Sequence, residues 1–410
     1  MGETGSRVGA GIAAAAAVAG VSVGVAAGAA WLWRNQADIA TRRPFNEWTF
    51  THMSALLPTQ AVPRACTPRP LPRGTGPLPV TYEYRGEKRT LARLHAATET
   101  TGFAVVHRGV LVHEAYPGVF AHPRARFQLF SLTKSVTALL VGVALKEGDI
   151  DSLQDPAVTY CPRLAGTAYA GATVEDLLRM CSGAGDERLE DYADPDAVIN
   201  DFERTVTAGG SLWDVIRRVP ATAAPGARFN YSTLDSQVLG WVLESAVGMP
   251  IADYAARRLW GPIGAQDDAY YFLTRGRPRT ALGGGSLNAS VRDMAKVGLL
   301  MARDGVVAGE RILPEGWVER ARGAGLAHLE VGALGPTGAP HYGYSDQWWT
   351  LGGDRRAFTG LGIHGQYLWV DPQADVVVVK TSAWPTADDE DRDDETVAAM
   401  RAIVAFLEER

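Results

Sequence analysis

The sequence predicts an α+β fold: one antiparallel sheet built from both ends of the chain, flanked by helices, with a mostly helical lobe inserted between. Three observations carry this. Residues 103–107 and 110–113 are short apolar runs around Arg108-Gly109, the signature of a β-hairpin. Near the other end, residues 367–370 and 376–380 flank a turn at Asp371-Pro372 and make a second hairpin. From about 150 to 350, apolar residues recur mostly at helical spacing, broken by Gly/Pro loops. Strands at both ends with helices between them imply one sheet closed from the termini, with a site in the cleft beside the inserted lobe.

Taken in order, the elements begin with residues 8–33, an unbroken run of 26 apolar, Gly or Ser residues between Arg7 and Arg34. That length can cross a hydrocarbon core of about 30 Å as a helix, and Trp31 and Trp33 suit an interfacial anchor. The expected organisation is a short flank (1–7), a transmembrane or signal-anchor helix (8–33), an extended connector (34–79) and a folded domain (80–410). Seven prolines between 58 and 79 give the connector its extended character. Arg34, Arg42 and Arg43 follow the apolar run against Arg7 and the amine before it, a balance that weakly favours a cytoplasmic domain. Within the domain a helix opens at Ser131 and runs through Val136, Leu139, Leu140, Val143 and Leu145 to a stop at Gly148. Helical patterns recur over 173–180, 238–247 and 291–303, and an amphipathic helix closes the chain over 398–407. The acidic run at 388–391 and 393–395 reads as a solvated loop.

At 410 residues and 46% hydrophobic content the chain holds one large domain or two smaller ones. Its net charge of −6 has no basic cluster behind it, which argues against nucleic acid as a partner. The three cysteines (66, 161, 181) form no paired framework, although Cys161 and Cys181 could bridge if the fold brings them together. No C-x-x-C or H-E-x-x-H occurs, so neither a metal nor another cofactor is expected. The sequence leaves the oligomeric state open.

The chemistry concentrates in Phe130-Ser131-Leu132-Thr133-Lys134. A Ser-x-x-Lys step at a helix start sets hydroxyl and ammonium on one face, one turn apart. A serine hydroxyl becomes a useful nucleophile only when a base takes its proton, and burial can lower a lysine pKa far enough to serve. This is the only Ser-x-x-Lys in a chain with 15 serines and five lysines, where chance would supply about 0.2. The plainer alternative is that Ser131 caps a helix and Lys134 is a solvated first-turn residue. A second candidate is Tyr231, in the polar step Asn230-Tyr231-Ser232-Thr233 just before a helical pattern, where a phenol could shuttle protons or simply pack. A third is Gly360-Leu361-Gly362-Ile363-His364, whose glycines permit close backbone approach and whose Ile363 amide could donate into a cleft.

At these three positions the chain resembles the serine β-lactamase and penicillin-binding-protein superfamily, in particular its class C, esterase and 6-aminohexanoate-dimer hydrolase branch. The family pattern is Ser-x-x-Lys, then Tyr-x-Asn, then a Lys-Thr-Gly-like triad on the strand bordering the site. Here these fall at Ser131 to Lys134, at Tyr231-Ser232-Thr233, and at Gly360-Leu361-Gly362. The likeness runs from about residue 45 to the C-terminus. It implies a β-lactamase/transpeptidase-like fold and acyl transfer, with Ser131 as nucleophile, Lys134 as base and Tyr231 as proton shuttle. The backbone N–H groups of Ser131 and Ile363 would form the oxyanion hole. It also implies an extracytoplasmic catalytic domain, against the charge flanks of the apolar run.

Departures from the pattern narrow the substrate. Gly360 stands where β-lactamases keep a lysine, and Thr233 where an asparagine is usual. Lys380-Thr381-Ser382 ends the following strand and is a decoy for the missing triad. Thr233, Gly362, His364 and Trp348 are the candidate substrate contacts, with Trp349 and Trp384 as further possible walls of an apolar pocket. The expected activity is hydrolysis of small esters or linear amides. A β-lactamase, a D-alanyl-D-alanine carboxypeptidase, or a membrane-tethered module that acylates without turning over are the alternatives. An α/β-hydrolase is disfavoured because Gly-x-Ser-x-Gly is absent.

Overall fold

The computed structural model describes residues 36–409 apart from 324, 339 and 340. The apolar run at 8–33 lies outside them; among the described residues no helix is long and apolar enough to cross a membrane. The main sheet has seven strands: β1 (Thr100–His107), β2 (Val110–Ala115), β3 (Gly343–Ser345), β4 (Trp348–Thr350), β5 (Phe358–Gly362), β6 (Gln366–Asp371) and β7 (Val376–Ser382). Their order is β3-β4-β5-β6-β7-β1-β2, all antiparallel. The chain ends join where β7 lies beside β1, with Val378 opposite Val105.

The run Val376-Val-Val-Val is apolar throughout because helices cover both faces of the sheet. Successive strand side chains point to opposite sides. Val377 and Val379, with Ala104 and Val106, therefore enter one core with helices α1 (Leu132–Glu147), α2 (Thr233–Val247) and α3 (Val291–Ala302). Val376 and Val378, with Phe103 and Val105, enter a second core under α4 (Glu390–Glu408). A Cβ at Gly298 would collide with Val377 and Leu368, so glycine there lets α3 lie close against the sheet.

Three features differ from expectation. The inserted lobe also contains a four-stranded sheet, ordered Thr59–Val62, Ala269–Phe272, Leu287–Ala289, Phe127–Gln128, whose last strand leads directly into Ser131. Within the stretch expected to be an extended connector, residues 36–57 carry three short helices, Gln36–Thr41, Asn46–Thr49 and Met53–Leu56. Leu57 and Val62 belong to the main core; beyond the strand Thr59–Val62 the proline-rich part forms no further strand before Thr81 and bonds to Leu111 from Pro72 and Gly74. From Glu390 on, the acidic run is not a loop but the first turns of α4, with Asp388 and Asp389 leading into it. Asp389 caps that helix by accepting from the Arg392 N–H, and buried Glu395 accepts from Tyr82 and Arg89, each at 2.7 Å. Neutralising partners distant in sequence make such a run foldable, and sequence periodicity does not reveal them. Cys161 and Cys181 are free thiols.

Candidate active site

Ser131 is aimed by its backbone. Phe130 before it takes a left-handed φ of 48°, a conformation that L-residues hold only where surrounding structure enforces it. Ser131 then opens α1 with helical φ and ψ, and its side chain makes no cap hydrogen bond. The helix-cap alternative therefore fails. The hydroxyl instead lies 2.8 Å from Lys134 Nζ, which donates to it.

Lys134 is buried, and its three donors are all used: to Ser131 Oγ, to Thr233 Oγ1 at 2.9 Å and to the Gly284 carbonyl at 3.0 Å. Burial lowers its pKa from 10.5 to about 8, with Glu190 pulling the other way. The solvated-lysine alternative fails with it. Thr233 begins α2, so the substitution for the usual asparagine still leaves a polar oxygen on Lys134. Tyr231 lies in the loop before α2, its ring 5.0 Å from Lys134 Nζ and packed on Trp349 at 5.3 Å. Burial raises its pKa, as does Glu190, while the Ser131 side chain is a hydrogen-bonding neighbour acting in the opposite sense. A neutral phenol is therefore the resting form.

Glu190 is the residue that sequence reasoning missed. It accepts from the Thr233 N–H at 2.5 Å and from the Thr233 hydroxyl, so it holds the threonine that holds Lys134. It sits 59 positions from Ser131 in an irregular loop, with no spacing or motif to mark it.

Two cavities meet at Ser131, Tyr192 and Ile363. One, of about 460 Å³, is walled mainly by hydrocarbon and reaches Thr233, Gly284 and Gly285. The other, of about 570 Å³, is lined by Tyr231, Trp349, Gly362 and seven acidic residues: Glu187, Glu190, Asp191, Asp388, Asp389, Glu390 and Asp393. Its lining among the described residues includes His341 but no lysine or arginine.

The structure thus brings Ser131, Lys134, Tyr231, Thr233, Gly362 and Ile363 together, and leaves two expected contacts outside. His364 is buried against Phe50 and Phe130 with Nδ1 2.8 Å from the Trp384 carbonyl, and lines neither cavity. Trp348 is in the core with its ring edge-on to Phe358 at 5.1 Å. Its neighbour Trp349 faces the site, as strand alternation requires: a one-residue offset exchanges the faces. Lys380 is buried between the rings of Tyr367 and Trp384, 5.2 Å from each, and bonded to Ser382; the two rings line the acidic cavity, and Lys380 itself lines neither.

The β-lactamase family profile matches residues 88–402. The 6-aminohexanoate-dimer hydrolase of Paenarthrobacter ureafaciens is 31% identical over 351 residues, covering 84% of this chain and 87% of the relative. Esterase EstB of Burkholderia gladioli is 29% identical over 54% of each chain. Among solved structures, one from Bacillus anthracis, provisionally assigned as a 6-aminohexanoate-dimer hydrolase, superposes with a TM-score of 0.81 at 25% identity, covering 90% of this chain and 96% of that one.

Proposed function

The chain belongs to the β-lactamase family, and from that premise we propose that it hydrolyses esters or linear amides through an acyl-enzyme on Ser131. The observation that carries this reading is the 2.8 Å bond between the Ser131 hydroxyl and a buried Lys134 of lowered pKa, at the junction of two cavities. Neutral Lys134 takes the proton from Ser131 Oγ as the oxygen adds to the substrate carbonyl. The N–H groups of Ser131 and Ile363 hold the resulting oxyanion. Collapse expels the amine or alcohol, which leaves with a proton relayed through Lys134 and Tyr231. Water then attacks the Ser131 ester, passing a proton to the same pair, which delivers it to Ser131 Oγ as the acyl–oxygen bond breaks and the acid departs.

Relatives named for hydrolysis of the 6-aminohexanoate dimer and for esterase activity support an ester or amide substrate. The acidic cavity supports it further, because a substrate carboxylate there meets other carboxyl groups and, among the described lining residues, no lysine or arginine. A β-lactam would also lack the lysine contact at Gly360, a charge-assisted bond worth roughly 1.5–3 kcal/mol. We expect p-nitrophenyl acetate and butyrate to be hydrolysed and nitrocefin poorly or not at all. Ser131→Ala should abolish both turnover and labelling by a fluorophosphonate. Efficient nitrocefin hydrolysis by the native enzyme would promote the β-lactamase alternative. A single burst of product without steady turnover would promote the non-catalytic binder. The run at 8–33 adds the proposal of a membrane tether. Fractionation with the membranes, lost on deleting residues 1–35, is the check.

A further inference from the structure

We propose that the apolar cavity beside Ser131 binds an unbranched acyl chain, so that the preferred substrates are medium- or long-chain acyl esters or amides rather than acetyl ones. This rests on the reading of Ser131 as an acyl-forming nucleophile. The cavity is walled by Phe50, Phe130, Ile199, Phe202, Val206 and Leu282, and its volume of about 460 Å³ lies within the range of ligand sites. Three polar side chains on its wall donate to backbone carbonyls. Gln128 Nε2 donates to the Gly285 carbonyl at 2.7 Å, Thr49 Oγ1 to the Asn46 carbonyl at 3.1 Å, and Thr207 Oγ1 to the Glu203 carbonyl at 3.0 Å. The wall is therefore mainly hydrocarbon, with Gln128 Oε1 and the Glu203 carboxylate as polar points on it, and no lysine or arginine among its described lining residues to hold a carboxylate.

The assignment to the acyl rather than the leaving side comes from Tyr231. The group that departs has to receive a proton, and the tyrosine available to relay it lines the acidic cavity and not the apolar one. A substrate carbonyl seated at Ser131 and Ile363 then sends its leaving group toward Tyr231 and the carboxylates, and its acyl chain toward Phe130 and Phe202. The opposite character of the two cavities suits the same orientation, with a polar or cationic leaving group on the acidic side.

The test is kcat/KM across p-nitrophenyl acetate, butyrate, octanoate and decanoate, each kept below its aggregation limit. A buried methylene is worth about 0.8 kcal/mol, or about fourfold, so filling part of the cavity should raise kcat/KM at least tenfold from acetate to decanoate. Gly285 offers a way to block it, because a Cβ there meets nothing within 4 Å and would project into open space. Gly285→Leu should lower the decanoate-to-acetate ratio tenfold or more. Met53→Glu, at a half-buried wall position, should do the same should the first variant not fold. A flat or falling profile in the native enzyme, with Ser131-dependent acetate turnover intact, overturns the acyl cavity and leaves the hydrolase reading standing. A rising profile unchanged in both variants also overturns it. No turnover of any ester, together with no fluorophosphonate labelling of Ser131, fails the underlying reading instead.

Discussion

Lys134 shows how one residue's chemistry is set by what surrounds it. Desolvation favours the neutral amine and Glu190 the ammonium, and the balance leaves the pKa at about 8. A base must be neutral to act, so kcat/KM for an ester should rise with pH through that region, with about a tenth of the enzyme competent at pH 7. In the proposed relay Lys134 and Tyr231 exchange a proton, and the observed value would then belong to the pair. Glu190→Gln removes the charge that stabilises the ammonium, so the rising limb should move to lower pH while the amide can still accept from Thr233. A pH–rate profile of the variant that shifts upward, or not at all, would sink this electrostatic role. Lys134→Ala and Tyr231→Phe should each lower kcat by about 10²–10⁴-fold, non-additively. The Ser-x-x-Lys step was fully legible because one helical turn fixes it. Glu190 was not, because loop closure brings it there and no local periodicity does.

Among the elements, β4 separates two tryptophans by one position and two fates. Trp348 is fully buried beneath the sheet, while Trp349 packs on Tyr231 beside the acidic cavity. Trp348→Ala should destabilise the fold by about 3–5 kcal/mol through the cavity it leaves, read as a lowered urea midpoint. Trp349→Ala should act mainly on kcat and KM by releasing the Tyr231 ring. Equal loss of stability with unchanged kinetics in the second variant would refute the division of roles. The sequence displayed an aromatic pair; which member faced the site depended on strand register, set by the pairing of Trp349 with Thr359 and Tyr344.

For the molecule as a whole, burial of histidines beneath the sheet links stability to acid. His95, stacked 6.4 Å from His113, has its pKa lowered by burial to about 4, and His113 and His107 are lowered by the same cause. A histidine that resists protonation only when folded contributes stability above its unfolded pKa of about 6.5 and loses it as pH falls toward the folded value, at up to about 1.4 kcal/mol per pH unit. Buried Asp235, raised to about 7, acts in the opposite sense, adding stability as pH falls through that value. Comparing native protein with His95→Phe isolates the histidine. Between pH 6.5 and 4, the variant's unfolding free energy should fall less steeply than the native protein's. Parallel curves would show that His95 carries no part of the acid sensitivity.

By itself the sequence determined what local spacing can encode. The two hairpins, the helix opening at Ser131 and the lysine one turn on follow from periods of two and 3.6 residues, and the resemblance to a known family ordered the three motifs. Tertiary structure decided whatever depends on partners far along the chain. Arg89 and Tyr82 turn an acidic run into a helix start, Thr59–Val62 joins a sheet with strands two hundred residues away, and Glu190 reaches Lys134 through Thr233. The two cavities belong to this second class as well. One serine stands between hydrocarbon and carboxylates because short helices at 36–57 close one side and the start of α4 the other, and such a juxtaposition exists only once the chain has folded.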